Sequence, residues 1–425
     1  MNDVEIKQGK LSYSLLKLLA RVFSKIKFKP KMLRNELKGA EGPLVIISNH
    51  QAALDFVNLI GASSRPMNFV ISNSFYQTIP VKKIMPRLGL IPKQQFQTNL
   101  SDLRKMKHVI DNGGILVIYP TGLMSDDGTP TPLPVDTYKF LQWLSVDVYM
   151  AKNIGTYFTM PKWRRGGIRS GRTYLDIYKL FDKEELKNLD LEHIQQRTDE
   201  ALYFDAYEEQ EQYRVRYKRG NDIEGLENVL YICPHCKGEF TVKTKDKSTI
   251  YCERCGFTEV ADEYQLLHKT SEVGEEIKYP SHWNNFIHAY MNERLNAGEY
   301  GPLTSKVRID MIPEGKRRFE QVGEGIMTLE SGHFLLDANI NGERQNLSIS
   351  TACFASLPYK PGDYIELQHA DTIYRCYPED GKTVIKFIDM VKILYEEHCR
   401  ICSEKREHCE CKECFSEGIN TEAHV

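Results

Sequence analysis

Between Gly42 and about Leu180, short apolar runs alternate with stretches of helical periodicity, and no other feature of the chain narrows its fold so far. Leu44 to Ile47, Met67 to Ile71 and Ile115 to Tyr119 read as buried strands, while Asp102 to Ile110 and Thr137 to Leu144 read as helices. Strands that alternate with helices pair mostly in parallel, so an α/β unit is expected: a mostly parallel sheet covered by helices. The first run stops at Ser48-Asn49-His50-Gln51-Ala52-Ala53-Leu54-Asp55. His50 therefore falls at the carboxyl end of a buried strand, the edge at which open α/β sheets place their chemistry.

A His and an Asp five positions apart cannot share one helix face, because five steps advance about 500 degrees and leave the side chains about 140 degrees apart. They meet only if His50 precedes the helix and Asp55 lies inside it. An ionised Asp that accepts one ring proton fixes the tautomer and raises the basicity of the other nitrogen, which fits His50 to take a proton from a hydroxyl. The same pair also reads as a strand-end histidine held by a helix-capping carboxylate.

At 425 residues the chain is long enough for two to four domains at roughly 150 residues each. Its formal charge of -2 argues against a protein that coats nucleic acid, so no nucleic-acid partner is expected and any basic site must be local. One such site is residues 11–34, where Leu15, Leu18, Leu19, Val22, Phe23 and Ile26 recur at helical spacing among Lys17, Arg21, Lys25, Lys27, Lys29, Lys31 and Arg34, with no acidic residue. This is the pattern of a basic amphipathic helix lying on a membrane surface of anionic lipids, or of a surface helix packed on its own domain. Pro30 limits it. There is no apolar run of about 18 residues and no secretory signal, so with the basic helix a cytoplasmic protein, peripheral on the inner face of a membrane, is expected.

A charged helical stretch from Lys183 to about Arg219 leads to an expected linker at Gly220 to Glu224. Two knuckles follow, Cys233-Pro-His-Cys236 and Cys252-Glu-Arg-Cys255-Gly256, separated by fifteen strand-like residues. Thiolates at this spacing close a tetrahedral shell around a structural zinc, and the stretch resembles the zinc-ribbon family over roughly thirty residues. Nine of the eleven cysteines fall here or in the tail, a clustering that favours metal and a reducing compartment over disulfides. The tail carries Cys399, Cys402, Cys409, Cys411 and Cys414 beside His398 and His408. It offers ligands for a second zinc, or forms a redox-sensitive mobile end.

After an aromatic-rich helical stretch (Ser281 to Asn296) the pattern turns to short strands: Ser305 to Met311, Gly323 to Leu329, His333 to Ile340, Gln345 to Ile349, Cys353 to Ser356, Asp363 to Gln368 and Thr372 to Tyr377. Asn341-Gly342, Pro361-Gly362 and Asp380-Gly381 separate them, and a helix from Val384 to Glu397 closes the unit. This small β-rich barrel with a C-terminal helix resembles a pleckstrin-homology barrel. No tight Lys/Arg cluster is expected in its first hairpin, and a protein partner for these C-terminal domains is as plausible as a lipid.

Asn49-His50-Gln51-Ala52-Ala53-Leu54-Asp55 resembles the first signature of the glycerolipid acyltransferases, the lysophosphatidate acyltransferase family. Leu88-Gly89-Leu90-Ile91-Pro92-Lys93 resembles the second, which ends in a phosphate-gripping basic residue, and Tyr119-Pro120-Thr121-Gly122 the third, which usually reads Phe-Pro-Glu-Gly. Pro161-Lys162-Trp163-Arg164-Arg165 lies where the family has its last conserved strand and turn. The resemblance implies an enzyme of phospholipid biosynthesis that moves an acyl group from an acyl-CoA or acyl-carrier-protein thioester to the hydroxyl of a lysophospholipid acceptor. It implies His50 as general base and Asp55 as its orienter, without an acyl-enzyme, and Asn49, Lys93, Tyr119, Pro120, Thr121 and Gly122 as substrate-binding positions. Arg164, Arg165, Arg169 and Arg172 are further cations available for phosphate, or parts of an ordinary solvated turn. Thr121 stands where the family has an acid, and Gln94 or Gln95 where it commonly has Arg; Asp126 and Asp127 are candidates to compensate. The other reading is a non-catalytic lipid-binding or scaffold protein that keeps this fold.

The domains expected are thus a basic membrane-associating segment (1–40), an acyltransferase-like α/β domain (41–225), the ribbon (226–262), a helical connector (263–300), the β-rich domain (301–397) and a Cys-rich tail (398–425).

Overall fold

The computed structural model describes residues 10–78, 88–95, 100–134, 136–351, 354, 356–370 and 372–404. The chain divides into two compact units, Met1–Lys93 with Ser101–Ile287, and Gln94–Leu100 with His288–Val425.

The first unit runs α1 (Lys10–Lys27), β1 (Lys31–Asn35), β2 (Leu44–Ser48), α2 (Asp55–Ile60), β3 (Met67–Ser72), α3 (Asn73–Thr78), β4 (Leu90–Lys93), α4 (Leu100–Asp111), β5 (Ile115–Ile118), α5 (Asp136–Leu144), β6 (Asp147–Ile154) and β7 (Tyr174–Phe181). Its seven-stranded sheet has the order β1-β7-β6-β2-β5-β3-β4. β2 to β6 pair in parallel, β7 is antiparallel to β6, and β1 is parallel to β7. The sheet is therefore mostly parallel and helix-covered, as the alternation predicts. β2 is central and wholly buried because each face meets a separate core. Val45 and Ile47 pack with Leu116, Val148 and Met150, and Leu44 and Ile46 with Val117, Tyr149 and Ala151. Burial on both faces is why this strand reads as a continuous apolar run. Chain succession leaves β2 for β3 on one side, whereas β5 leads across it to β6 on the other, so the end of β2 is the switch point of the sheet.

α1 packs Tyr13, Ala20 and Ser24 inward and turns Leu15, Leu18, Leu19, Val22 and Ile26 outward, each more than half exposed. With 100 degrees per residue, the two sets lie on opposite sides of the helix. The reading of a surface helix packed on its own unit holds, and among the described residues the opposite side of the helix presents an exposed apolar stripe. Two of its cations serve the packing, Lys17 donating to Ser63 O and Arg21 to Gly61 O (3.1 Å). No helix among the described residues is long and apolar enough to cross a membrane.

The charged stretch after β7 is three helices, α6 (Lys183–Asn188), α7 (Leu191–Leu202) and α8 (Ala206–Tyr213). Asp190 and Asp205 break it because each accepts backbone N–H groups from the helix that follows. Gly220 to Glu224 is no linker. Ile223 is buried and its N–H donates to Lys247 O, while Asp222 pairs with Arg164, so burial and hydrogen bonding fix the segment. The cysteine region that follows is a four-stranded antiparallel sheet of β8 (Val242–Lys245), β9 (Thr249–Cys252), β10 (Thr258–Ala261) and β11 (Leu267–Lys269), and it belongs to the first unit. α9 (Pro280–Asn296) begins in this unit and continues into the second.

The second unit carries β12 (Leu303–Met311), β13 (Glu320–Glu330), β14 (His333–Ile340), β15 (Glu343–Ser350), β16 (Tyr359–Lys360), β17 (Tyr364–His369), β18 (Thr372–Pro378) and α10 (Thr383–Glu404). These strands form an antiparallel sheet, order β15-β14-β13-β12-β18-β17-β16, with Phe334 against Phe387 of α10. Asn341 and Gly342 both have positive φ, the two-residue turn their pairing predicts. The expected strand Cys353 to Ser356 lies largely outside the described residues, and the short strand comes later, at Tyr359–Lys360. The expectation that the first hairpin holds no tight Lys/Arg cluster is overturned. Lys316, Arg317 and Arg318 all lie in the loop joining β12 to β13, because β13 begins at Glu320. The side chains of the tail cysteines lie outside the described residues.

Candidate active site

His50 lies two residues beyond β2 and Asp55 is the first residue of α2, so histidine and carboxylate approach across the strand-to-helix turn. His50 Nδ1 is 3.1 Å from Asp55 Oδ2. A carboxylate only accepts, so Nδ1 carries the proton in this contact, and in the neutral ring the lone pair lies on Nε2. The same oxygen accepts the backbone N–H groups of Gln51 (2.8 Å) and Ala52 (3.0 Å). Asp55 thus reaches back to the loop that carries His50 rather than capping its own helix. It is wholly buried, whereas the His50 side chain is one-fifth exposed.

The other sequence candidates surround this pair in different roles. The Tyr119 ring lies 4.5 Å from the His50 ring at 35 degrees. Burial, and the nearby Asp55 carboxylate, push its hydroxyl well above the usual tyrosine range. Tyr119-Pro120-Thr121-Gly122 is a turn closed by Gly122 N–H to Tyr119 O (2.9 Å), with Pro120 in the position that favours its fixed φ. Thr121 is buried and donates its hydroxyl to Leu123 O (3.0 Å). Asn49 donates to Asn153 O and accepts from Asn153 N, both at 2.8 Å, which fastens the end of β2 to β6. Lys93 ends β4 at the same carboxyl edge of the sheet; burial lowers its pKa, opposed by Asp102 and Asp136.

The cations after Pro161 do not all point at a ligand. Arg164 pairs with Asp222 at 3.2 Å, and Arg169 is buried with donors on Phe158 O and Asp222 O, so these two hold the fold, whereas Arg165 and Arg172 are exposed. Asp126 and Asp127 do not stand in for the acid missing at Thr121. Asp126 pairs with Lys162 at 3.1 Å, and Asp127 accepts from Thr129 and Asn284.

Three contributors escaped the sequence reading. Ser125 donates its N–H to His50 O at 3.1 Å. Gln51 Oε1 accepts from Thr156 Oγ1 and Tyr157 N, and Gln51 Nε2 donates to Glu209 Oε2 at 3.0 Å. Burial pushes Glu209 up to about 7, with Lys152 and Gln51 opposing. These partners come from distant segments, and no local spacing announces them.

Residues 26–151 match the family model described as Acyltransferase. This stretch is an acyltransferase domain. It contains the β2 to α2 turn with His50 and Asp55, the Tyr119 turn and most of the parallel sheet. A chloroplastic 1-acyl-sn-glycerol-3-phosphate acyltransferase, BAT2 of Brassica napus, is 21% identical over 169 residues, covering 38% of this chain and 48% of the relative. The chain thus spans about half the length of the curated relative it matches. Among solved structures, the 1-acyl-sn-glycerophosphate (LPA) acyltransferase PlsC of Thermotoga maritima is similar with a TM-score of 0.40 and 18% identity, over 47% of this chain and 79% of that one.

Outside the acyltransferase domain, the Sγ atoms of Cys233, Cys236, Cys252 and Cys255 all lie within 4.8 Å of one another. Cys233 and Cys255 are 3.6 Å apart, and Cys236 and Cys252 3.7 Å. A tetrahedron with metal–sulfur bonds of about 2.3 Å has edges of about 3.8 Å, so the four thiols fit one metal ion with no open position.

Proposed function

We propose that the protein transfers an acyl group from a thioester donor to the free hydroxyl of a lysophosphatidate-type acceptor at a membrane surface. The observation that carries this reading is the His50–Asp55 pair at the switch point of a sheet that matches the acyltransferase family. In this mechanism Asp55 holds the Nδ1 proton, and Nε2 of His50 takes the proton of the acceptor hydroxyl as its oxygen attacks the thioester carbonyl. The carbon–sulfur bond then breaks, and the departing thiolate takes that proton from His50. No side chain is acylated. Tyr119 packs the imidazole face, Asn49 and the Tyr119 to Gly122 turn fix the loops around it, and Lys93 supplies the cation for the acceptor phosphate. The outward apolar stripe of α1, with Lys25, Lys27, Lys29 and Lys31 nearby, supports docking on anionic lipid, where a lysophospholipid resides. Zinc is the metal that four thiolates at these separations favour, and it closes the ribbon as a structural site.

The test offers lysophosphatidate and a radiolabelled acyl thioester to the protein and to His50→Ala. Ester formation by the first and none by the second is expected. Turnover that survives the substitution overturns the mechanism, and none in either protein favours a lipid-binding scaffold instead.

A further inference from the structure

The first turn of α9 touches the ribbon with one residue and the loop behind His50 with the next. Trp283, fully buried, donates its indole N–H to Ile232 O at 2.8 Å, one residue before Cys233. Its ring also meets Phe257 edge-on at 5.6 Å, two residues after Cys255. Trp283 is therefore anchored to both knuckles, and its seat is complete only while the knuckles are held together. Asn284 donates to Asp127 Oδ2 at 2.9 Å, and Ser281 donates to Asp205 Oδ2 at 2.7 Å.

Both acceptors lie close to the catalytic pair in the chain of contacts. Asp127 shares a tight loop with Ser125, whose hydroxyl accepts from Gly128 N and whose backbone N–H holds His50 O. Asp205 accepts N–H groups at the start of α8, the helix that brings Glu209 to Gln51.

We propose that the ribbon is a positioning element of the acyltransferase site, and that Asn284 is the positioning residue through which its metal reaches His50. With the four thiolates gathered on one ion, Ile232 and Phe257 clamp Trp283, and the adjoining Asn284 holds the 125–128 loop against the His50 carbonyl. Without the ion the thiolates repel one another, the two anchors of Trp283 separate, and the loop loses its outer tether. The proposal rests on the acyltransferase reading for its consequence in catalysis, but its structural content does not.

Hydrogen exchange on the whole protein tests it, zinc-loaded and chelator-stripped, beside Asn284→Ala. Stripping is expected to raise exchange about ten-fold in peptides covering 121–129 and 205–213, with β2 and β5 unchanged, the size set by losing one hydrogen bond to a charged group. Asn284→Ala, still binding one zinc per chain, is expected to show the raised exchange at 121–129 before any chelator, and stripping is expected to add little there. In turnover, both changes lower kcat about ten-fold while leaving the KM for the thioester in place. Unchanged protection of 121–129 in Asn284→Ala overturns the proposal, as does unchanged protection on stripping. If stripping also opens β2 and β5, the Asn284→Ala result alone decides. Exchange is read without turnover, so a catalytically inactive protein still tests the role of the ribbon.

Discussion

Glu209→Gln is expected to stabilise the protein above neutral pH and to leave it nearly unchanged at pH 5. Glu209 is buried on α8, with Oε2 accepting from Gln51 and Oε1 3.8 Å from Lys152 Nζ. Burial raises the carboxyl from 4.5 to about 7, and neither Lys152 nor the Gln51 hydrogen bond restores it. The unfolded chain therefore ionises near 4.5 and the folded protein near 7. Between those values the folded state binds more protons, so stability falls as pH rises through the window and stays low above it. A shift of this size corresponds to about 3 kcal/mol, at roughly 1.4 kcal/mol per unit. Glutamine keeps the acceptor for Gln51 and carries no proton to lose. Urea unfolding of both proteins at half-unit steps from pH 5 to 8 should give curves that coincide at the acid end and diverge upward for the variant. Parallel curves across the whole range would refute the assignment of this pH dependence to Glu209.

Asp55→Asn keeps an oxygen for the Gln51 and Ala52 N–H groups but removes the charge facing the His50 ring. A fall in kcat of about 10²-fold is expected, with a smaller change in KM; steady-state kinetics showing wild-type kcat would remove Asp55 from the mechanism. Leu18→Asp with Val22→Asp places two charges on the outward stripe of α1, where both residues are more than half exposed. Losing two buried apolar side chains from a bilayer is expected to weaken sedimentation with anionic phospholipid vesicles by at least about ten-fold, with the unfolding midpoint unmoved. Equal vesicle binding would show that the stripe faces something else.

The parts of this molecule that could be read in the sequence are those whose determinants are local. β2 and β5 are buried on both faces and appear as uninterrupted apolar runs, and β3 keeps most of such a run around the single polar Asn68. β7 sets Asp176 and Lys179 among Leu175, Ile177 and Phe181, so it lacks the uninterrupted apolar run by which β2 and β5 are read. β1 is mostly exposed, so Lys31 to Asn35 reads as the basic end of α1. The same distinction holds at the site. His50 and Asp55 are five residues apart and their meeting follows from a strand end and a helix start. Gln51 and Glu209 are 158 residues apart, and only the packing of α8 brings them together.

Thr121 shows how a departure from a family pattern is read once its contacts are known. The resemblance leaves open whether the acid missing from the third signature is supplied by Asp126 or Asp127, and both carboxylates are engaged elsewhere, with Lys162 and with Thr129 and Asn284. Thr121 itself turns inward and ties its hydroxyl to Leu123 O, which tightens the start of the same loop. Every polar contact described for this loop therefore runs into the protein: Thr121 to Leu123, Ser125 to His50, Asp127 to the first turn of α9. A carboxylate reaching outward can contribute to binding a substrate, whereas this set of inward bonds fixes the position of the histidine backbone. Among the described residues, the loop after β5 makes its contacts within the protein, and through the Ser125 N–H it holds the His50 carbonyl in place.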